Sequence, residues 1–234
     1  EEACFAWATT LVEAGRVSAA LEIANQAVVR YGKSTFEDEF LYTAGYARFL
    51  LGQPDDALEL VRRVATEKFT TRDGAIASSE NHRHAIYLEG QIHHALGRAE
   101  AALSSYDKFV GDFQDASEAS EYFRAKSLSL PEGTRIGVGA EAVVDLEWRN
   151  LREAALKVYK VDLLRLYLIH KSLDNVRDIL LHGIRPLHEA TVALGDGADY
   201  SGTRTSKVSL PLSDAGAYLV VVRAEDRIVS GLVL

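Results

Sequence analysis

The fold of the first half of the chain is decided by the stretch Gly45-Tyr46-Ala47-Arg48-Phe49-Leu50-Leu51-Gly52-Gln53-Pro54-Asp55-Asp56-Ala57. Apolar residues recur three and four apart on both sides of Gly52, which is the period of a helix with one buried face. Gly52 can close the first helix because glycine readily adopts the left-handed backbone conformation. Asp55 and Asp56 follow Pro54 at the start of the next helix, where carboxylates favour the helix dipole. The stretch therefore predicts two antiparallel helices joined by a tight turn.

The same unit occurs three times, at about residues 1–30, 38–68 and 83–113. Each unit has a glycine at the turn, and these glycines are Gly15, Gly52 and Gly97. A small residue precedes each of them by seven positions, and another follows by five: Ala8 and Ala20, Gly45 and Ala57, Gly90 and Ala102. Small residues at these places allow the two helices of a unit to approach closely.

This pattern resembles the tetratricopeptide repeat (TPR) family, whose signature has a glycine at the turn and small and aromatic residues at these offsets. The turn glycines lie 37 and 45 residues apart, whereas the family repeats every 34 residues or so. We expect longer loops near residues 31–35 and 70–81 to account for the difference. The resemblance implies an α-solenoid over residues 1–127, closed by a capping helix at 115–127.

The second half of the chain changes to a period of two, which is typical of strands with one buried face. Its predicted strands lie at residues 142–148, 156–161, 189–194, 207–212, 217–223 and 227–234. Hairpin turns are expected at Asp214-Ala215-Gly216 and Ala224-Glu225-Asp226. A short helical insert is expected at Leu163–His170 and Asp174–Leu181. The pattern predicts an antiparallel β-sandwich over residues 128–234, so that the whole chain is a multi-domain α + β protein.

A second resemblance depends on Val158-Tyr159-Lys160-Val161-Asp162-Leu163, Leu210-Pro211-Leu212, Gly216–Val221 and the closing Ser230-Gly231-Leu232-Val233-Leu234. These motifs are similar to the macroglobulin-type sandwich domains of bacterial alpha-2-macroglobulin-like proteins. The family's reactive thioester needs Cys-Gly-Glu-Gln, whereas the single cysteine here stands in Cys4-Phe5-Ala6-Trp7. The resemblance therefore implies a non-reactive scaffold portion of a longer chain, with a periplasmic or cell-surface location.

Composition excludes several classes of protein. Hydrophobic residues make up 47 % and charged residues 26 %, as in a folded globular protein. The net charge of −8 argues against sequence-independent nucleic-acid binding, which needs a basic surface. No apolar run approaches the roughly 18–20 residues of a membrane span. The chain has no methionine and starts at Glu1, so we expect a fragment.

Catalytic and metal-binding patterns are weak. His82, His84, His93 and His94 cluster in the sequence, but their spacing does not put three ligands on one helical face. There is no Gly-x-Ser-x-Gly motif, and the glycines of residues 131–139 precede a strand rather than the helix that a phosphate-binding loop requires. We therefore expect no cofactor, no metal and no catalytic residue.

The first helices of the three units offer a candidate binding groove, because stacked helix pairs form a concave surface. The repeat register places seven candidate residues there: Phe5, Tyr42, Tyr46, Phe49, Tyr87, Gln91 and His94. Thr9 and Val12 fall on the same face. Aromatic residues on one groove suit an apolar or extended peptide. Phe5 and Thr9 stand where the carboxylate-clamp type of TPR uses Lys and Asn, which argues against a chaperone tail as ligand. Alternatively, these aromatics pack between repeats or against the β domain.

Two functions from different classes follow. The first is a non-catalytic protein–protein interaction scaffold that binds a protein or peptide in the groove. The alternative is an enzyme whose site lies at the domain junction near the 162–190 insert, using His170, His182 or His188. Shifted pKa values that converge in one pocket would favour the enzyme.

The sequence also makes structural predictions. Residues 1 to about 126 should be all helical and those after about Ser127 mostly strand, with a boundary near Leu130-Pro131. A helix through residues 128–145, or a strand before residue 120, would contradict this interpretation. Trp148 should be a core residue that shares a face with Ala142, Val144 and Leu146, while Asp145, Glu147 and Arg149 lie on the opposite face. Tyr42, Tyr46 and Tyr87 should be partly exposed, and Tyr106 and Phe109 should be buried.

Overall fold

The computed structural model describes residues 1–137, 139–170, 183–200 and 202–234. The chain divides into two compact units, Glu1–Phe123 and Arg124–Leu234. The first unit is predominantly helical and the second is built mainly of strands, so the chain is mixed α + β. None of the described helices is long and apolar enough to cross a membrane.

The first unit contains three helix pairs followed by a further helix. The helices are α1 Glu2–Glu13, α2 Val17–Tyr31, α3 Glu37–Leu50, α4 Pro54–Thr66, α5 His82–Ala95, α6 Ala99–Tyr106 and α7 Gln114–Arg124. A short 3₁₀ helix, Asp107–Phe109, continues α6. The helix predicted at 115–127 is α7, which ends three residues earlier than expected.

The three turns within the pairs have the same geometry. Gly15, Gly52 and Gly97 adopt φ values of 73°, 74° and 68°, the left-handed conformation that the sequence predicts for them. In each turn the residue after the glycine donates its backbone N–H to a carbonyl five residues earlier, such as Arg16 to Leu11 at 2.8 Å. This bond satisfies a carbonyl that the end of the helix would otherwise leave without a partner.

Close helix approach is confirmed at the small residues. A Cβ on Gly45 would lie 2.8 Å from Cγ2 of Val61, and one on Gly90 would lie 2.9 Å from Cε1 of Tyr106. Ala20, Ala57 and Ala102 at the corresponding places of the second helices are fully buried. Contacts of this kind fix the distance between the two helices of a pair.

The prediction that residues 1 to 126 are all helical is wrong between α4 and α5. Strands β1 Lys68–Thr70 and β2 Ile76–Ser78 form an antiparallel hairpin there, with Phe69 opposite Ala77. Phe69 is buried and packs into the core between α3, α4 and α5. The segment expected as a loop is ordered because this apolar side chain anchors it to the helices.

The second unit contains a five-stranded and a three-stranded sheet. Its strands are β3 Ser127–Ser129, β4 Gly133–Thr134, β5 Val143–Arg149, β6 Glu153–Val161, β7 His188–Ala193, β8 Arg204–Ser209, β9 Ala217–Ala224 and β10 Arg227–Val233. The sheet orders are β4-β10-β9-β6-β7 and β3-β5-β8. Among the described strands of this unit, all pairings are antiparallel except that of β10 with β4.

One hydrophobic core contains residues from both sheets. Leu146 and Trp148 of β5 belong to the same cluster as Leu156 of β6 and Val220 and Val222 of β9. Trp148 is buried, as predicted, together with Ala142, Val144 and Leu146. Its indole Nε1–H donates to the hydroxyl of Ser206 at 2.8 Å, so the polar edge of the ring is satisfied as well.

The strands begin at Ser127, as predicted, and β3 pairs Leu128 with Trp148. Two other predicted details of this unit are wrong. Asp214-Ala215-Gly216 is not a hairpin turn, because β8 pairs with β5 while β9 pairs with β6 and β10. Arg149, expected on the outer face, is buried where its strand runs beside Ser127. The turn at Glu225-Asp226 is confirmed by the pairing of Ala224 with Arg227.

The insert after β6 begins with α8, Leu163–His170. Its N-terminus is capped by Asp162, whose carboxylate accepts the backbone N–H of Arg165 at 2.9 Å. The second predicted helix, at 174–181, lies outside the described residues. The strand predicted at 189–194 is β7.

A first prediction tests the close approach at Gly45. We expect Gly45→Ala to lower the free energy of unfolding of the first unit by about 1–2 kcal/mol, because overpacking outweighs the better helix propensity of alanine. Val61 cannot easily yield, since β-branched side chains have one strongly preferred rotamer in a helix. Chemical denaturation measures the change. Gly137→Ala is the control, because its added Cβ meets nothing within 4 Å, and an equal loss there would contradict the explanation.

A second prediction concerns Trp148. Trp148→Ala should cost roughly 3–5 kcal/mol of stability, the range for truncating a buried tryptophan. Trp7 is 60 % exposed, so Trp7→Ala is a control for the same chemical change at the surface. Thermal unfolding should show a large loss for the first variant and little for the second. Equal melting temperatures for Trp148→Ala and the unmodified protein would show that the buried face is assigned wrongly.

Candidate functional site

The seven residues predicted to line a groove lie on α1, α3 and α5. Six of them are half-buried, and His94 is exposed. By contrast, Tyr106 and Phe109, which belong to the second helix of the third pair and its 3₁₀ extension, are buried. At these predicted positions the difference in exposure agrees with the repeat register, whereas Phe40 on α3 is fully buried and Tyr31 on α2 is half-buried.

The predicted residues fall into three groups by their contacts. Phe5 packs against Phe36 and Phe40, with ring centroids 6.2 and 6.3 Å away. Tyr42, Tyr46 and Phe49 pack on the core between α3, α4 and α5, and burial, together with the nearby Tyr46 phenol, raises the pKa of Tyr42. Each group thus buries one part of its rings and leaves another part accessible.

The third group belongs to an aromatic cluster that includes α7. The ring of Tyr87 lies 5.1 Å from that of Phe113 and 5.8 Å from that of Tyr106. The ring of His94 lies 4.7 Å from that of Phe123, and Gln91 opposes the increase that burial causes in the pKa of Tyr87. That the three groups together form one groove stays a prediction.

The structure also contains a cavity that the sequence interpretation missed. It has a volume of about 320 Å³, lies between the N-terminal end of α3 and the β1–β2 hairpin, and is lined by none of the seven predicted residues. Five of its lining residues are charged: Asp38, Glu39, Arg72, Asp73 and Glu80. Five others carry hydroxyl groups, namely Thr35, Thr70, Thr71, Ser78 and Ser79, and Phe69 completes the wall.

The hairpin tip holds one side of this cavity in place. The backbone N–H of Thr71 donates to the carbonyl of Ala75 at 2.8 Å, and Gly74 closes the turn with φ 81°. The hydroxyl of Thr71 donates to Asp73 and holds the pKa of that carboxyl below its usual range. Arg72, at the tip, lies over the ring of Phe36, with its guanidinium carbon 5.3 Å from the centroid. The tip is therefore fixed by local bonds and by a contact with the helices.

Asp38 and Glu39 give the cavity its unusual electrostatics. Asp38 is only 7 % exposed, and carboxylates are rarely buried to this degree. Burial raises the pKa of Glu39 from 4.5 to about 8, and the hydrogen bond and negative charge of Asp38 add to the shift. Arg72 opposes this increase in the pKa. These effects favour the protonated form of the Glu39 carboxyl at neutral pH.

Local sequence signals could have revealed only part of this site. Asp73-Gly74 between short β-prone segments is a known hairpin signal, and in the structure it lies at the turn between β1 and β2. Asp38 and Glu39 resemble the ordinary acidic residues of a first helical turn. Their burial depends on the hairpin, which returns to α3 from more than thirty residues further along the chain.

The histidines that cluster in the sequence make separate contacts in the structure. His93 is buried, its Nε2 lies 3.2 Å from Nη2 of Arg62, and burial lowers its pKa. Its neighbour Glu89 accepts a hydrogen bond from Arg62 at 2.8 Å. The ring of His84 lies 5.6 Å from that of Phe113 and is tilted by 48° to it, so His84 and His93 contact different residues. Over the described ranges, no group of three or more His, Cys, Asp or Glu residues could hold a metal ion.

The alternative enzymatic site near residues 162–190 stays a hypothesis. His188 is half-buried in β7, and its backbone pairs with Val158 of β6. His182 and the side chain of His170 lie outside the described residues. The three histidines therefore cannot be assembled into a site from the described geometry.

Comparison with known proteins assigns no function. No family model matches the chain, and no curated protein matches it significantly. The two resemblances inferred from the sequence stay interpretations, and the chemistry of the candidate site follows from its own residues.

A third prediction uses the raised pKa of Glu39. Between pH 4.5 and about 8 the folded protein keeps a proton that the unfolded chain releases, so this group makes stability fall as the pH rises through that window. Glu39→Gln cannot ionise. The variant should therefore be more stable than the unmodified protein at pH 9, by about 1–3 kcal/mol, the cost of a buried unsatisfied group.

Urea denaturation at pH 5 and pH 9 checks this prediction. The advantage of Glu39→Gln should shrink at pH 5, where the native carboxyl is protonated. Glu59→Gln removes an exposed carboxylate from α4 and serves as the control. A difference between Glu39→Gln and the unmodified protein that is the same at both pH values would contradict a raised pKa.

Proposed function

We propose that the protein is a non-catalytic protein–protein interaction scaffold, in which the first helices of the helical unit bind an extended peptide segment with apolar side chains. In this proposal the helical unit is a TPR-like solenoid. The second unit is a macroglobulin-like β-sandwich, and the chain is a piece of a larger bacterial alpha-2-macroglobulin-like protein.

Several features support these interpretations of the two units. The three left-handed glycines with identical turns and the close approaches at Gly45 and Gly90 favour a helical repeat of the TPR type. A core shared by two largely antiparallel sheets favours the sandwich. The described arrangement is thus consistent with a binding solenoid joined to a β module.

One observation carries the functional proposal: the aromatic residues at the predicted groove positions of α1, α3 and α5 stay partly exposed, although Phe40 on α3 is fully buried. Tyr42 and Tyr46 lie one helical turn apart on α3 and are half-buried. Aromatic rings that are partly accessible and fixed by packing are the usual anchors of protein interfaces, because they bury much area at a small cost in side-chain entropy.

The scaffold proposal predicts the effect of removing these two rings. A library of random twelve-residue peptides displayed on phage supplies the probe, and the enriched peptides are titrated against the purified chain. We expect the double variant Tyr42→Ala/Tyr46→Ala to weaken peptide binding at least about tenfold, or about 1.4 kcal/mol. Fluorescence anisotropy of labelled peptides measures the affinity.

Two controls separate loss of binding from loss of fold. Circular dichroism shows whether the double variant keeps its helices at the assay temperature. Trp7→Ala removes an aromatic ring that is 60 % exposed on α1 and lies outside the predicted groove, so it should leave binding unchanged. Enriched peptides that bind the folded double variant as tightly as the unmodified chain would refute the proposal.

A further inference from the structure

We propose that the cavity between the N-terminal end of α3 and the β1–β2 hairpin binds a guanidinium group, presented by an arginine side chain of a partner peptide. This surface shares no residue with the aromatic positions of α1, α3 and α5. The proposal can therefore be tested independently of the proposed peptide groove.

The first support is an excess of negative charge around the cavity. Asp38, Asp73 and Glu80 line it together with a single basic residue, Arg72, and the carboxyl of Glu39, whose pKa is raised to about 8, adds a negative charge only when it ionises. The helical half of the chain carries 20 acidic and 13 basic residues over positions 1–126, so the surroundings do not cancel this charge. A concave site of one sign focuses its field and attracts ligands of the opposite sign.

The second support is a group that lacks a partner. Within the described part of the chain, the buried Oε2 of Glu39 has no hydrogen-bond partner. Asp38 beside it is more than nine-tenths buried, and its described bond is the one with Glu39. Buried polar atoms are normally satisfied, and a donor brought in by a ligand would satisfy these. Such a cation would take the place of the proton on Glu39, which is released to the solvent when the cation binds.

The distribution of acceptors favours an extended organic cation over a metal ion. The carboxyls are spread along the wall, and the described residues contain no group of three or more that could hold a metal. A guanidinium is planar, carries five N–H donors in a fixed fork and pairs with carboxylates through two parallel bonds. Hydroxyls of Thr71 and Ser79 on the lining add further acceptors.

Size and apolar surface agree with an arginine side chain. The volume of about 320 Å³ is at the lower end of the range for small-ligand sites, so it suits one side chain rather than a larger molecule. The ring of Phe69 on the wall offers apolar surface to the methylene groups of the ligand. Arg72 is engaged with the ring of Phe36 at 5.3 Å.

The test is a ¹⁵N NMR titration of the full 234-residue chain with N-acetyl-arginine amide. We expect saturable shifts that are concentrated in the backbone amides of residues 69–80. N-acetyl-citrulline amide has the same shape without the charge and should cause no comparable shift at the same concentration. N-acetyl-lysine amide should bind at least roughly threefold more weakly, because an ammonium lacks the planar fork.

Variants locate the interaction in the cavity. Asp38→Asn should weaken binding of the arginine probe at least about tenfold, since it removes the buried negative partner. Glu59→Gln removes the same charge from an exposed position on α4 and should leave the affinity unchanged. If Asp38→Asn disturbs the amide spectrum outside the hairpin, Glu80→Gln at the exposed rim replaces it, with an expected loss of roughly threefold.

The proposal is overturned if citrulline and arginine probes shift the same amides equally, or if the arginine shifts spread over the whole acidic surface. It is also overturned if the affinity is unchanged in a correctly folded Asp38→Asn or, where that variant misfolds, in Glu80→Gln. Saturable, arginine-selective shifts that Asp38→Asn or its substitute reduces would support it.

Discussion

The close approach of paired helices at Gly45 and Gly90 is the constraint on which the helical unit depends. A Cβ at Gly45 would come within 2.8 Å of Val61, and one at Gly90 would come within 2.9 Å of Tyr106. With the backbones this near, Ala20, Ala57 and Ala102 of the second helices are fully buried. Tyr42, Tyr46 and Tyr87 on the first helices are half-buried, and their accessible parts are the physical basis of the proposed peptide-binding face.

The hairpin between α4 and α5 adds a feature that the helix pairs alone would not provide. Phe69 anchors it in the core, and its tip returns over the start of α3, where it helps to bury Asp38. A carboxylate that would be an ordinary surface group on an isolated helix thereby becomes part of an enclosed acidic site. The second unit is held by different means, a core common to two sheets around Leu146 and Trp148.

The sequence predicts those features that depend on short-range periodicity. The helix pairs, their turn glycines and the buried face of Trp148 all follow from spacings of two to seven residues. Features that depend on long-range pairing were missed. Asp214–Gly216 looks like a hairpin turn, but the strands beside it belong to different sheets. Asp38 and Glu39 resemble acidic residues that favour the dipole at the start of a helix. The sequence around them gives no sign that residues 69–80 will enclose them.

The most direct test of the close-approach constraint is a double-mutant cycle between Gly45 and Val61. Gly45→Ala adds a Cβ where Val61 lies, and Val61→Ala removes the Cγ atoms that it would meet. Urea denaturation of the unmodified chain, both single variants and the double variant gives the coupling energy. The account predicts that the double variant is more stable than the sum of the single losses implies, by about 1 kcal/mol or more. Additive losses would show that the two residues do not limit how closely α3 and α4 approach.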